Sequence, residues 1–174
     1  VRDLLDVARM NRSEFHVERN PIDLALVARE AARRYRSQAE TFGVTLELDT
    51  NGGAPALGDE ERALQIASNL VENALRVTPP DGRVVVRACA GELTVEDTGP
   101  GLAPEEVPYA FERFYLWGRY GATRKVGTGL GLAIVKQLTE QMGGTVDVVS
   151  APGATRFTVR LPVLPPLDRR PNEG

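Results

Sequence analysis

The chain has 174 residues, of which 42% are hydrophobic and 26% charged, and its formal net charge is -3. This size and composition are those of one ordinary globular domain with flanking segments, and the acidic balance excludes the basic surface of a nucleic-acid-binding protein. No apolar run approaches the roughly 18 residues of a membrane-spanning helix. The single cysteine excludes an internal disulfide. No secretory leader is visible, and the beginning at Val1 is interpreted as the start of a fragment of a longer protein.

The first third of the chain predicts a helix, a linker, a second helix and a strand. Residues 1–10 have the pattern of a helix end, and residues 11–21 are polar and end in Pro, which is typical of a linker. Asp23 is the expected N-cap of a helix that stops at Gly43. Residues 44–49 alternate as a half-buried strand does.

The middle of the chain predicts a third helix and a strand pair. Residues 51–55 turn the chain, and Asp59 is the expected N-cap of a helix that runs to about Val77. The segments "RVVVRACA" and "ELTVED" then predict two strands joined by a tight turn. Cys89, in the first of these strands, is expected to be a small core residue.

The last part of the chain predicts loops, one more helix and a hairpin. Residues 98–104 are irregular, residues 116–129 form a long polar loop, and residues 130–142 form an amphipathic helix. "TVDVVS" and "TRFTVRLP" predict the final hairpin. Because strand pairs joined by tight turns are antiparallel, the predicted fold is α+β. It is a two-layer α/β sandwich whose mixed, mostly antiparallel sheet is covered on one face by helices.

The predicted helix after Asp59 carries a narrow polar row beside its apolar stripe. Gln65 opens the row, and Asn69, Asn73 and Arg76 fall within an arc of roughly 60°. An Asn carbonyl oxygen is a hard neutral ligand suited to Mg²⁺, and a guanidinium one turn further on can pair with a phosphate. The alternative is a row that simply faces solvent, although such rows carry Lys and Glu more often than Asn.

A second candidate site follows the strand that ends at Asp97. In "DTGPG", Gly99 and Gly101 permit positive φ and let a ligand approach the backbone closely. A carboxylate fixed at a strand end can accept a hydrogen bond from an exocyclic amine such as that of adenine. The alternative is a plain turn in which the Asp side chain accepts from its own backbone.

A third candidate site is the glycine-rich segment "GTGLGLAIVK". Gly127, Gly129 and Gly131 lead into a helix, whose first N–H groups and positive end favour a phosphate. The segment is neither a dinucleotide fingerprint, since no strand immediately precedes it, nor a P-loop, since it has no Gly-Lys-Ser/Thr. The alternative is a glycine-rich loop that happens to precede a helix.

Together and in this order, the three segments describe a site for a Mg-nucleotide, and the sequence here resembles the ATP-binding catalytic domain of bacterial sensor histidine kinases. That domain belongs to the ATPase superfamily shared with DNA gyrase, MutL and the heat-shock-90 chaperones. "NLVENALRVTP" resembles the N box, "DTGPG" the G1 box, "FERFY" the F box and "GTGLGLAIVK" the G2 box. The resemblance covers roughly residues 1–162. The F box and the full G2 phrase favour histidine kinases over the other branches.

The resemblance implies a division of the chain and a role for each matching residue. Residues 1–22 would be the end of the dimerisation helix and a linker, 23–162 the ATP-binding catalytic domain, and 163–174 a disordered tail. Asn73 would coordinate Mg²⁺ and Asn69 would lie beside the phosphates. The terminal phosphates would be contacted by Arg76 and by cations of the lid over ATP (residues 115–128) and its approach: Arg113, Arg119, Arg124 or Lys125. Asp97 would bind the adenine amine. The remaining nucleotide-binding residues would be Gly99, Gly101, Gly127, Thr128, Gly129, Leu130, Gly131, Leu132 and Thr155.

The resemblance also implies the reaction and the partners. The γ-phosphoryl of Mg-ATP would pass to a histidine on the dimerisation domain and then to an aspartate of a response regulator. The full-length protein would be a homodimer with a cytoplasmic catalytic domain, anchored in the inner membrane, while this fragment would be a monomer. His16 lies in the polar linker and is followed by Val17, so the phosphoacceptor is expected upstream of Val1.

Departures from the family pattern keep other functions open. Family N boxes often have Lys-Tyr where this chain has Arg76 and Val77. A basic residue that often follows the F box is replaced here by Leu116. Ala154 replaces a glycine that is common beside the family Thr. The alternative function is a nucleotide-sensing module of the same fold without efficient phosphotransfer. A further alternative is another branch, such as an anti-sigma-factor serine kinase or an ATP-driven clamp, but "LLDVARM" resembles a dimerisation helix that those proteins lack.

Overall fold

The computed structural model describes residues 16–112 and 130–165. These residues form three α-helices, seven strands and one short 3₁₀ helix at Val107–Tyr109. The helices and strands follow in the order β1 (Asn20–Asp23), α1 (Leu24–Thr41), β2 (Thr45–Thr50), β3 (Pro55–Gly58), α2 (Glu60–Val77), β4 (Arg83–Cys89), β5 (Glu92–Asp97), α3 (Gly131–Gln141), β6 (Thr145–Ala151) and β7 (Ala154–Arg160). The predicted bounds of the three helices are therefore confirmed to within a few residues.

Both predicted N-caps are confirmed. Asp23 accepts a hydrogen bond from the Ala25 N–H at 2.9 Å and a second from the Ala54 N–H at 2.8 Å. Asp59 accepts from the Arg62 N–H at 3.1 Å. An Asp cap of this kind typically stabilises a helix by about 1 kcal/mol, because it satisfies an N–H that has no partner within the helix.

The main sheet has five strands in the order β2-β4-β5-β7-β6. Strands β2 and β4 pair in parallel, and the other neighbours are antiparallel. One cross-strand row of the face that carries the core joins Val86, Val95, Phe157 and Val148. The helices pack on this face, so the predicted two-layer α+β fold with a mixed, mostly antiparallel sheet is confirmed.

Two short strands were not predicted. β1 and β3 form a separate antiparallel pair, in which Asn20 lies opposite Gly58 and Asp23 opposite Pro55. β1 begins inside the segment 11–21 that was predicted to be a linker, and it crosses the proposed start of the catalytic domain at residue 23. The proposed division of the chain at that residue stays a prediction.

The prediction that Cys89 is a core residue is wrong, because its side chain is exposed. It lies on the outer face of β4, on the same side of the strand as Arg83 and Arg87. The predicted helix at residues 1–10, the whole of the predicted loop 116–129 and most of the predicted tail lie outside the described residues. Within residues 16–112 and 130–165, none of the helices combines the length and the apolarity needed to cross a bilayer.

Candidate functional site

A cleft lies where the second half of α2 meets the ends of β5 and β7. The loop after β5 closes it on one side. Its lining residues are Asn73, Val77, Asp97, Pro100, Gly101, Leu102, Thr155 and Phe157. The structure thus brings Asn73 of the polar row of α2 together with Asp97 and the segment after it, so that two of the three sites predicted from the sequence meet at this cleft.

Asp97 is the buried carboxyl of this cleft, with only 1% of its surface exposed. Burial raises its pKa from the ordinary 3.8 to about 6, because the charged form loses its water. A hydrogen bond from the Gly99 N–H to Oδ1, at 2.8 Å, opposes that rise, and the nearby charge of Glu96 adds to it. The plain turn considered as an alternative therefore does form, and the same carboxyl also lines the cleft.

Two glycines of the loop after β5 have no room for a side chain. A Cβ on Gly99 would lie 2.7 Å from Oδ1 of Asp97, and a Cβ on Gly101 would lie 2.7 Å from the carbonyl oxygen of Ala151. Gly101 also has a φ of +79°, which residues with a Cβ rarely adopt. The loop consequently lies directly against the turn between β6 and β7.

Two members of the polar row of α2 are buried rather than facing solvent. Asn73 is 8% and Arg76 6% exposed, and Nη2 of Arg76 donates to Oδ1 of Asn73 at 2.6 Å. Burial lowers the pKa of Arg76, and the charge of Glu72 opposes that effect. The solvent-facing alternative is wrong for these two residues. Gln65 instead accepts a hydrogen bond from Arg62 of the same helix at 3.0 Å.

Arg76 and Asn73 fit the groups that a Mg-nucleotide would offer. Among the described residues nothing accepts a hydrogen bond from the buried Nε of Arg76. A phosphate oxygen supplies such an acceptor and a complementary charge. The carbonyl oxygen of Asn73 is of the hard, neutral type that Mg²⁺ binds, and this ion usually takes few protein ligands and keeps several waters.

The start of α3 lies against the middle of α2. Nδ2 of Asn69 donates to the carbonyl oxygen of Gly131 at 3.3 Å, and a Cβ on Gly131 would lie 3.5 Å from that of Asn69. Leu130 and Leu132 are buried, so they anchor the first turn of the helix. The N–H groups of that turn have no partner within the helix and form a ready site for an anion. Arg113 and residues 127–129 of the predicted site lie outside the described residues.

The elements that line the cleft lie within a segment that matches a known protein family. A family described as histidine kinase-, DNA gyrase B-, and HSP90-like ATPase matches residues 58–165. The chain belongs to this ATPase family. The match includes every element that lines the cleft, so the cleft is that of an ATPase domain.

Relatives of this ATPase domain are sensor kinases. The sensor protein SrrB of Staphylococcus aureus is 34% identical in an alignment of 167 residues that covers 93% of this chain and 29% of SrrB. The chain therefore spans less than a third of the length of the curated relatives it matches. Among solved structures, a mycobacterial sensor histidine kinase, MprB, has 32% identity and a TM-score of 0.69, covering 84% of this chain and 99% of that one. Full-length ShkA in complex with AMPPNP has 31% identity and a TM-score of 0.78, covering 92% of this chain and 34% of that one. The resemblance to sensor histidine kinases is confirmed.

The ATPase domain also contains site residues that sequence reasoning missed. Ser150 on β6 bonds both to the loop after β5 and to Thr155. Phe157 lines the cleft, and its ring meets that of Phe111 edge to face with centroids 5.8 Å apart. Phe111 is the first residue of the "FERFY" segment. That segment was therefore a sequence signal that could have placed Phe111 beside the site, and with it the aromatic contact to Phe157. A lone Ser in a valine-rich strand gave no such signal.

Proposed function

We propose that this chain is the ATP-binding catalytic domain of a two-component sensor histidine kinase. It donates the γ-phosphoryl of ATP to a histidine on the dimerisation domain, for relay to an aspartate of a response regulator. One observation carries this proposal. A single cleft is lined both by the buried carboxyl of Asp97 and by Asn73, whose oxygen holds the buried guanidinium of Arg76. The cleft therefore offers an acceptor for a base, and a cation for phosphates is bonded to one of its lining residues.

The Asp97 end of the cleft holds adenine. The carboxylate accepts a hydrogen bond from the exocyclic amine, and the absence of a Cβ at Gly99 and Gly101 keeps the loop close to the sheet. Thr155 lies directly opposite Asp97 on the neighbouring strand and lines the same cleft. This end selects the base by an acceptor that sits in a low-dielectric site, where a hydrogen bond is stronger than in water.

The α2 end of the cleft holds the phosphates. The Nε–H of Arg76, which has no acceptor among the described residues, donates to a phosphate oxygen. Asn69 lies beside the phosphates, and the first N–H groups of α3, at Gly131 and Leu132, donate to the phosphate oxygens. Asn73 would hold Mg²⁺ through the lone pair of Oδ1 that Arg76 does not use, and the ion would neutralise part of the phosphate charge. Arg113 and residues 127–129 belong to the same end in this proposal.

The partners follow from the relatives. The sensor kinases that this chain resembles are more than three times its length, so the dimerisation domain with the phosphoacceptor histidine belongs to another part of the whole protein. That protein is a homodimer whose catalytic domain is cytoplasmic and whose remaining part anchors it in the inner membrane. The nucleotide analogue in the ShkA structure supports an ATP site in this fold.

The first experiment is a calorimetric titration of the 174-residue chain with Mg·ATP. We expect saturable binding by the wild type and a loss of about tenfold or more in Asn73→Ala, because a phosphate-end contact is removed. Gln65→Ala is the matched control, since Gln65 belongs to the same row but bonds to Arg62 outside the cleft. No binding by the wild type would refute the nucleotide function.

A second experiment separates a kinase from a nucleotide-sensing module. The chain is mixed with its dimerisation domain and radiolabelled ATP, and acid-labile phosphohistidine is measured. Its formation, and its loss in Asn73→Ala, are the result we expect of a kinase. Tight ATP binding without phosphohistidine would favour the sensing module instead.

A further inference from the structure

A hydroxyl pair ties the hairpin of β6 and β7 to the loop that closes the cleft. Oγ of Ser150 accepts a hydrogen bond from the Leu102 N–H at 2.7 Å, and it lies 2.7 Å from Oγ1 of Thr155. The hairpin turn adds a backbone bond, from the Gly153 N–H to the Gly99 carbonyl at 3.0 Å. These two bonds hold the loop between β5 and the 3₁₀ helix to the hairpin of β6 and β7, and the one through Ser150 depends on a side chain.

Ser150 belongs to a polar row across three neighbouring strands. Asp97 lies opposite Thr155, and Thr155 lies opposite Ser150, at the end of the sheet that forms the cleft. Asp97 and Thr155 are 1% and 4% exposed, so their hydrogen-bonding groups depend on protein partners or on a bound ligand. Asp97 and Thr155 line the cleft and Ser150 does not, so Ser150 lies behind Thr155 as seen from the cleft.

The pair of hydroxyls can be arranged in two directions. A hydroxyl has one hydrogen to donate and two lone pairs that accept, so Ser150 can accept from the Leu102 N–H and still either donate to Thr155 or accept from it. When Ser150 donates to Oγ1 of Thr155, the hydrogen of Thr155 is free to point into the cleft, beside the carboxylate of Asp97.

We propose that Ser150 is a positioning residue for base recognition, which holds the Leu102 loop against the sheet and turns the Thr155 hydroxyl into a donor. The proposal rests on the nucleotide function proposed above. An acceptor at Asp97 beside a donor at Thr155 matches the six-membered ring edge of adenine, which offers an amine donor next to a ring-nitrogen acceptor. Hypoxanthine and guanine present the reverse pattern, an oxygen acceptor next to a ring N–H donor. Ser150 thereby contributes to the choice of ATP over ITP.

The test compares Ser150→Ala, Ser150→Thr and Thr145→Ala with the wild type. Each protein is titrated with Mg·ATP, with Mg·ITP, which differs from ATP only at the base, and with Mg-tripolyphosphate, which has no base. Thr145→Ala is the matched control, because it removes a hydroxyl from an exposed position at the other end of β6.

We expect Ser150→Ala to weaken ATP binding by about three- to tenfold, the effect of one net hydrogen bond. ITP and tripolyphosphate binding stay unchanged, so the preference for ATP over ITP falls by the same factor. Ser150→Thr keeps the hydroxyl and restores the preference. Equal weakening of all three ligands would show a merely structural role and overturn the proposal, as would unchanged ATP binding. Failure of the wild type to bind ATP is a separate result, which overturns the nucleotide function and this inference with it.

A measurement without nucleotide tests the bond itself. Hydrogen exchange of the Leu102 amide is followed in the ligand-free wild type and in Ser150→Ala. We expect faster exchange of this amide in the variant while the amides of α1 are unchanged, because only the loop loses its partner. An unchanged rate at Leu102 would mean that Ser150 does not hold the loop, and the proposal would be wrong.

Discussion

Glu96 and Asp97 are neighbours on β5, yet their side chains lie on opposite faces of the sheet and in opposite electrostatic surroundings. Glu96, on the outer face, lies 2.6 Å from Nη2 of Arg156 and 3.6 Å from Nη1 of Arg87. Asp97, on the helix side, is buried and accepts one backbone hydrogen bond from Gly99. Glu96 thus has two cations and contact with water, whereas Asp97 is shielded from water and has no ion pair with the residues in 16–112 and 130–165.

The contrast between Glu96 and Asp97 distinguishes a charge that stabilises the folded surface from a charge that is suited to binding a ligand. Exposed ion pairs such as those of Glu96 typically contribute 0 to about 1 kcal/mol, because water and salt screen them. A buried carboxyl without a matching cation destabilises the ligand-free protein, and such groups are concentrated at functional sites. The position of Asp97 is therefore explained by the nucleotide that we propose it binds, and that of Glu96 by the surface.

The largest expected effect is the loss of ATP binding in Asp97→Asn. The substitution replaces a charged acceptor by an amide that is close to isosteric, and a hydrogen bond to a charged group contributes about 1.5–3 kcal/mol. We expect the dissociation constant for Mg·ATP to rise by about ten- to a hundredfold. Glu96→Gln is the matched control, with the same chemical change one residue away on the other face. Equal losses in both variants, measured by calorimetry, would break the contrast between the two faces.

The second effect concerns stability and its dependence on pH. Burial raises the pKa of Asp97 from 3.8 to about 6, so the folded state binds the proton more tightly than the unfolded state does. The contribution of Asp97 to the free energy of unfolding is therefore largest below about pH 4. It is lost as the pH rises through about 6, and the total loss is about 3 kcal/mol. We expect ligand-free Asp97→Asn to gain stability over the wild type across this range. Urea unfolding at a series of pH values measures the difference, and parallel curves for the two proteins would contradict the burial argument.

The third effect compares two glycines that have the same backbone angle. Gly101 and Gly153 both have a φ of +79°, but a Cβ at Gly153 meets nothing within 4 Å, whereas one at Gly101 lies 2.7 Å from the Ala151 carbonyl oxygen. Alanine at either position is expected to lose about 1–2 kcal/mol through the backbone angle. Gly101→Ala should lose a further 1–3 kcal/mol, roughly the effect of overpacking. It should also weaken ATP binding, because the loop must move. Thermal unfolding and ATP titration of both variants check this, and equal behaviour would show that the close approach is unimportant.

The structure shows which parts of the fold local sequence signals can determine. The starts of α1 and α2 could be predicted because Asp23 and Asp59 cap within three residues of themselves. β1 and β3 could not, because each is four residues long and contains a proline, and their pairing joins residues more than 30 positions apart. Pairing at such a distance is a tertiary effect that no local pattern contains.

The same distinction applies to the cleft and to Cys89. The row of Asn69, Asn73 and Arg76 could be predicted from helical periodicity, whereas the hydrogen bond of Ser150 to Leu102 spans 48 residues and has no local signal. Cys89 was misplaced because Val84, Val85 and Val86 are all buried, at 0%, 4% and 0% exposure. Three consecutive buried valines remove the alternation that would have shown which face the cysteine occupies.

The smallest expected effect tests whether the two faces of β5 influence each other. The charge of Glu96 is one of the causes that raise the pKa of Asp97. Glu96→Gln should change the free energy of unfolding by less than about 1 kcal/mol and leave ATP affinity at neutral pH unchanged, since the pairs it loses are exposed. Removal of this like charge should nevertheless lower the pKa of Asp97. The pH at which Asp97 begins to destabilise the protein should then be lower than in the wild type. The measurement is the pH-dependent stability difference between Glu96→Gln and the double variant with Asp97→Asn. A midpoint that stays in place would mean that the charge of Glu96 does not act on the pKa of Asp97 through the sheet, and that burial and the Gly99 hydrogen bond set it.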